Sequence, residues 1–145
     1  MLIQEKLGFK GEPVAVWKRV SDIERMPEFW HGTRSLQVVG REGNKTRIKA
    51  KFAFGGSRDV EVTTDEANRT LALSYASGPF TGVQTVTVAG NTLEARWDIE
   101  FKGIYRLGAS RIAGHFRTGT VHALARLVGE KVVKEAPSHE GIAQV

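Results

Sequence analysis

The chain has no cysteine, which excludes disulfides, thiolate nucleophiles, iron–sulfur clusters and cysteine-based zinc sites together. No apolar run approaches the ~20 residues of a membrane-spanning helix. No internal repeat or low-complexity stretch precedes Val133. A GxSxG elbow, a Walker A loop, GxGxxG and HExxH are all missing, and with them the strong grounds for asserting a particular catalysis. The acids Asp59, Glu61, Glu94, Asp98 and Glu100 alternate onto outward strand positions, leaving no carboxylate pair for glycoside-type chemistry. In Met1-Leu2-Ile3-Gln4-Glu5-Lys6 an acid stands where a signal peptide needs an apolar core, so a cytoplasmic location is expected.

What remains is an ordinary globular balance: 145 residues, 41% hydrophobic and 26% charged. A chain of this length buries roughly two-thirds of its unfolded surface. One domain over residues 1–134 is expected, with a flexible tail over 135–145. The net charge of +5 prompts a search for a nucleic-acid footprint, where placement matters more than the sum.

Leu2 to Phe9 alternates, with Ile3, Leu7 and Phe9 on one face, and reads as a strand. Glu12-Pro13 opens a short helix with Val16, Trp17 and Val20 as its stripe. Asp22 is placed to cap a second, Ile23 to Phe29, that Pro27 breaks after one turn. From Arg34 to Phe101 the period is two. Thr46, Ile48, Ala50, Phe52 and Phe54 share one face, and Lys45, Arg47, Lys49 and Lys51 the other. A Gly55-Gly56-Ser57 loop pairs Phe52 with Val60 and Ala50 with Val62, setting Lys51 against Glu61 and Arg47 near Asp65. A two-residue loop at Gly90-Asn91 pairs Val88 with Leu93, Val86 with Ala95 and Gln84 with Trp97. The total is seven antiparallel strands with one apolar face. Ala109 to about Lys134 is a long helix, burying Ile112, Phe116, Thr120, Ala123, Leu124 and Leu127 and turning His115 and His122 outward. A curved sheet with one bare apolar face needs a cover, and only this helix is long enough. The expected layout is an α+β grip of sheet round helix, with a space between them.

The stretches Glu12–Trp17, Val20-Ser21-Asp22-Ile23-Glu24 and Met26-Pro27-Glu28-Phe29-Trp30 resemble the opening of the SRPBCC superfamily. This is the helix-grip fold of START domains, polyketide cyclases and birch-pollen-type allergens. The Asp-then-Pro-aromatic step is similar to the coenzyme-Q-binding branch. Arg106-Leu107-Gly108-Ala109-Ser110-Arg111-Ile112 is similar to the branch associated with carbon monoxide dehydrogenase, although Met26-Pro27-Glu28 stands where that branch carries a Pro-Gly pair. The resemblance implies a hydrophobic ligand between sheet and helix: an isoprenoid, a quinone, a lipid or an aromatic polyketide.

Three polar residues fall at inward strand positions: Glu5, Arg58 and Gln84. A buried unpaired charge is expensive, so an inward Arg58 must pair, reach water or meet a ligand. In the register above it neighbours Phe54 and Tyr75. Trp30, Phe52, Phe54, Tyr75, Trp97 and Phe116 are the expected cavity walls, with Thr120 beside them on the helix. Core packing explains each of these equally well, and Glu5 could pair with Arg58 instead. His115 and His122 lie ~10 Å apart along the helix, too far to share a metal, and His139 falls in the tail. His31, with Tyr75 and Glu5, is the remaining acid–base candidate. No metal and no cofactor are assigned. The two readings are a carrier of a hydrophobic small molecule and a cyclase or dehydratase using a cavity acid or base. The Lys45–Lys51 stripe faces acids across the sheet and carries no interleaved aromatics, so no nucleic-acid partner is expected. An anionic membrane surface, met through the same Lys45–Lys51 charges, and a second copy of the chain on the outer helix face stay open as partners.

Overall fold

The computed structural model describes residues 1–129; the expected tail, His139 and the last residues of the expected helix lie outside them. Strand β1 (Leu2–Gly8) leads to α1 (Pro13–Ser21), a 3-10 turn (Ile23–Arg25) and the one-turn α2 (Met26–Phe29). Six strands follow: β2 (Thr33–Glu42), β3 (Lys45–Phe52), β4 (Gly56–Asp65), β5 (Thr70–Tyr75), β6 (Phe80–Ala89) and β7 (Thr92–Phe101). A second 3-10 turn (Gly103–Gly108) enters α3 (Ala109–Leu127). The strands form one antiparallel sheet in the order β1-β7-β6-β5-β4-β3-β2. This is the expected helix-grip architecture. Pro27 sits in the first turn of α2, where its missing N–H costs nothing. Asp22 makes no side-chain cap.

Along β7, Leu93, Ala95, Trp97, Ile99 and Phe101 are all buried while Arg96, Asp98 and Glu100 face water. The β6–β7 register is the one expected, with Val88 on Leu93 and Gln84 on Trp97. The β3–β4 register is not. The turn is Ala53-Phe54-Gly55, so Phe52 faces Gly56, Ala50 faces Arg58 and Ile48 faces Val60. The pairing moves by four residues, and because four is even every side chain keeps its face. On the outer face Arg47 therefore opposes Glu61 and Lys49 opposes Asp59, with Lys45 3.5 Å from Glu61.

Helix α3 stops at Leu127 rather than near Lys134: Gly129, at φ +85°, closes it by donating to the Arg126 carbonyl. Its buried positions run from His115 through Gly119 and Phe116 to Leu124, an arc of about 180° at 100° per residue. His115 is therefore buried at 8% exposure, against the expectation that it faces outward. The curled sheet covers more of the helix than the aliphatic stripe alone suggests. His122, one step further round, is half-buried.

The C-terminal half of α3 is tied to the short helices: Arg19 donates to the Leu127 carbonyl at 2.8 Å and Arg126 to that of Phe29 at 3.1 Å. The N-terminal half stands over the other end of the sheet, where β3–β4, β5–β6 and β7–α3 turn.

Two glycines are expected to respond to alanine in opposite directions. Gly82 has φ +135°, and a Cβ there would lie 2.1 Å from the Asp98 carbonyl oxygen on β7. Gly82→Ala should cost more than ~2 kcal/mol in urea denaturation. Gly114 lies exposed in α3 with open space around it, and Gly114→Ala should raise stability by ~0.5–1 kcal/mol.

Candidate functional site

Four chain segments meet at that open end. The α2–β2 junction is held to the β3–β4 turn by the Ala53 N–H donating to the Gly32 carbonyl at 2.9 Å. The β5–β6 loop is held to the β7–α3 turn by the Lys102 N–H donating to the Pro79 carbonyl at 2.8 Å. Between them lies a cleft lined by Met26, Trp30, Gly32, Thr33, Phe52, Phe54, Arg58, Tyr75, Phe80, Gln84, Trp97 and Phe116. Its walls stand close together, and the cavity they enclose is only about 30 Å³. A ligand of ordinary size enters only if side chains move, and the half-buried Phe52 and Phe54 at the rim are the ones with room to do so.

Eight of the ten expected site residues are thus brought together. Two are not. Glu5 is half-buried on β1 opposite Ala95, away from the lining. Thr120 is fully buried, but its hydroxyl accepts from Trp97 Nε1 at 3.0 Å and donates to the Phe116 carbonyl at 2.6 Å. It anchors Trp97 and Phe116 rather than lining the space. His31 is exposed, between two lining residues. Met26, Gly32, Thr33 and Phe80 were missed. The signal for Phe80 was present: it shares inward parity with Gln84 and Val86, obscured by the Gly78-Pro79 break and the bare position at Gly82.

Phe80 matters most of these four. Its ring lies 5.1 Å from Tyr75, 5.4 Å from Phe116 and 6.2 Å from Trp97, and 4.3 Å from the Arg58 guanidinium carbon. That guanidinium also sits 5.0 Å from the Phe52 ring and 5.1 Å from Tyr75. Three aromatic faces thus surround one cation. Arg58 does not pair with Glu5. Its Nη1 donates to the carbonyls of Ser77 at 3.0 Å and Phe80 at 3.3 Å, which latches β4 to the β5–β6 loop. Gly78 makes room for it, since a Cβ there would stand 2.4 Å from Arg58 Cδ.

Burial pulls the Arg58 pKa down, yet a guanidinium starts so high that it stays charged. Burial pushes the Tyr75 phenol far above its ordinary value, partly opposed by the charge of Arg58. The Tyr75 hydroxyl donates to Gln84 Oε1 at 3.2 Å. Two buried N–H groups then have no partner among the described residues: Arg58 Nε and Gln84 Nε2. A group left this way costs ~1–3 kcal/mol. The lining holds no carboxylate and no histidine. The cleft is apolar-walled and rich in donors, and its one ionisable acid is a phenol held in its neutral form.

Residues 5–134 match the sequence profile described as polyketide cyclase / dehydrase and lipid transport. The chain belongs to this family. No curated protein matches its sequence. Among solved structures, the fold is similar to the Zhui aromatase/cyclase from Streptomyces sp. R1128, at TM-score 0.68 and 12% identity over 89% of this chain and 92% of that one. It is also similar to a START superfamily protein from Mycobacterium smegmatis, at TM-score 0.63 and 15% identity over 88% and 93%. A truncated norcoclaurine synthase from Thalictrum flavum gives TM-score 0.62 and 15% identity over 88% and 90%. At such identities the likeness is one of fold, in the START/SRPBCC superfamily, and function is read from the site.

Two measurements test the polar arrangement. Replacing both members of the phenol–amide pair removes a hydrogen bond together with an orphaned donor, so Tyr75→Phe/Gln84→Met should melt within ~1 kcal/mol of the parent, whereas Gln84→Met alone, which strands the phenol, should lose ~1–3 kcal/mol. In a Tyr105→Phe background Tyr75 is the sole tyrosine, and its phenolate absorbance should not appear at pH values just above 10 while the protein is folded. Because the folded pKa is raised, the stabilisation is complete below the unfolded value near 10 and is lost as pH climbs beyond it. Melting temperature should fall steeply from that point, and a normal titration of folded Tyr75 near pH 10 would contradict its burial.

Proposed function

We propose that the chain binds a small hydrophobic molecule whose polar end is a hydrogen-bond acceptor: a carbonyl, a carboxylate or a quinone oxygen. The observation that carries this reading is the pair of unpartnered buried donors, Arg58 Nε and Gln84 Nε2, in an otherwise aromatic cleft. Pockets of this kind bury an apolar body and orient it with a few polar groups. An acceptor atom satisfies the orphaned donors, and a cationic or donor-only ligand cannot. Isoprenoid quinones, fatty acids and polyketide-like molecules all carry such an atom. Arg58 has the shape for the task, since its fork can hold two oxygens or one oxygen twice.

The second reading is a cyclase or dehydratase. The family description and the fold likeness to an aromatase/cyclase favour it. In this cleft its proton donor would be Tyr75, beside a cation that stabilises an enolate. No lining residue is suited to act as a base near neutral pH, so binding is the reading better supported.

A matched set of probes on one aromatic body discriminates: 2-acetylnaphthalene, 2-naphthoate, 2-methylnaphthalene and 2-naphthylmethylamine, followed by tryptophan quenching at Trp30 and Trp97. The ketone and the carboxylate should bind at least tenfold more tightly than the hydrocarbon, with the amine weakest. Tyr75→Phe/Gln84→Met and Arg58→Met should erase that preference while leaving hydrocarbon affinity within a few-fold. Equal affinity for ketone, hydrocarbon and amine would sink the reading.

A further inference from the structure

The turn between β7 and α3 exposes its apolar side chains. Ile104 is 77% exposed and Leu107 91%, the two most exposed large hydrophobic residues described. They project from a six-residue 3-10 turn, Gly103–Gly108, pinned to the body through the Lys102 N–H on the Pro79 carbonyl. Between them Tyr105, itself 38% exposed, sets its ring edge-on to Phe54 at 5.4 Å and 89°. Phe54 lines the cleft. The aliphatic pair therefore stands at the rim of the cleft and is joined to its wall by one ring contact.

The charge is as uneven as the hydrophobicity. Residues 101–129 contain Lys102, Arg106, Arg111, Arg117 and Arg126 and no acid. The chain holds 21 basic and 16 acidic side chains, so removing these five leaves 16 against 16, and this one stretch accounts for the whole net charge of +5. Arg126 is engaged with Phe29; Lys102, Arg106, Arg111 and Arg117 are exposed. Lys102 has Glu100 at 3.3 Å, an exposed pair that water weakens. The first turn of the 19-residue α3 follows directly, with neither a side-chain cap nor an acid to use its free N–H groups.

We infer that this turn docks the protein on an anionic lipid surface, with Ile104 and Leu107 entering the acyl boundary and Lys102, Arg106 and Arg111 resting among the head groups. A turn with two protruding aliphatic side chains suits a deformable apolar layer better than the flat face of a folded partner. Basic residues flanking inserted aliphatics are the charge pattern that anionic leaflets attract. Tyr105 sits at the level where a ring with one polar tip is most at ease. Docking there presents the rim, and the Phe54–Tyr105 contact that closes it, to the lipid phase.

Flotation with phosphatidylcholine vesicles, with and without one-third phosphatidylglycerol, tests the inference. The parent should bind the phosphatidylglycerol vesicles and be released by high salt. Ile104→Ser/Leu107→Ser should weaken partitioning by at least tenfold, and Lys102→Gln/Arg106→Gln by roughly tenfold, toward the level on phosphatidylcholine alone. All four positions are exposed, so melting temperatures should be unchanged, and affinity for 2-acetylnaphthalene in vesicle-free buffer should be unchanged too. Loss of vesicle binding with ligand binding intact separates this inference from the reading of the cleft. Absence of binding to phosphatidylglycerol vesicles would overturn it. So would binding indifferent to both double variants, or a concentration-dependent dimer in gel filtration that Ile104→Ser/Leu107→Ser disperses.

Discussion

A sheet of seven strands at ~4.8 Å spacing is roughly 29 Å across, and a helix with its side chains is ~10–12 Å wide. One helix cannot cover one apolar face of such a sheet. Most of this molecule follows from that mismatch. The sheet curls to bring β1 and its neighbours up around α3, which is why the buried arc of the helix extends to His115. The short helices close one end, fastened by Arg19 and Arg126 to the end of α3 and to α2. At the other end nothing of comparable size is available, and the remaining apolar surface is roofed by single rings carried on turns and strand ends: Trp30, Phe52, Phe54 and Phe80. The cleft is what a seven-stranded grip has left over when its one helix is spent.

Aromatic residues suit such a roof because each covers a large area with two torsions, and their contacts form a continuous set from Trp30 through Trp97 and Tyr75 to Phe80 and Phe54. Within it Arg58 carries out two tasks that compete. Its Nη1 contacts hold the β5–β6 loop, and its ring contacts offset part of the desolvation of a charge. Its Nε is left over. A site that only needed a latch could be built from a neutral donor. Leaving Arg58 Nε and Gln84 Nε2 without acceptors carries a stability cost.

The fold was readable because period-two alternation is strong from Thr46 to Phe101 and the final helix has a clear stripe. The Gly90-Asn91 hairpin was readable to the residue, since Gly-Asn marks a tight turn and a two-residue loop placed there keeps both faces consistent. The β3–β4 hairpin was not. Loops of three residues placed at 53–55 or at 55–57 both preserve the faces, and parity cannot choose between registers that differ by an even number. Tyr75, Gln84 and Trp97 came together as read because they sit on strands whose faces the pattern determines. Thr120 looked like a cavity residue because sequence reports a face but not where a hydroxyl sends its bonds. Met26, Gly32 and Thr33 enter through the path of the α2–β2 junction, which no periodicity describes.

Net charge misled at first sight for a related reason. The visible basic stripe on β3 alternates with the core and faces Asp59 and Glu61 across the sheet, so it is locally compensated. The excess charge is sparse in sequence, spread over 102–126 at intervals of four to nine residues, and is gathered only by the turn and the helix that follow β7. Turn and helix are also where the covering problem is solved least completely. The strand must leave the sheet, cross its open end and begin the helix within eight residues of Phe101, and that crossing has no core of its own against which to bury Ile104 and Leu107. Exposed aliphatic side chains at this point are thus a direct consequence of the grip's geometry, and the stretch that carries them, 101–129, holds five basic residues and no acid.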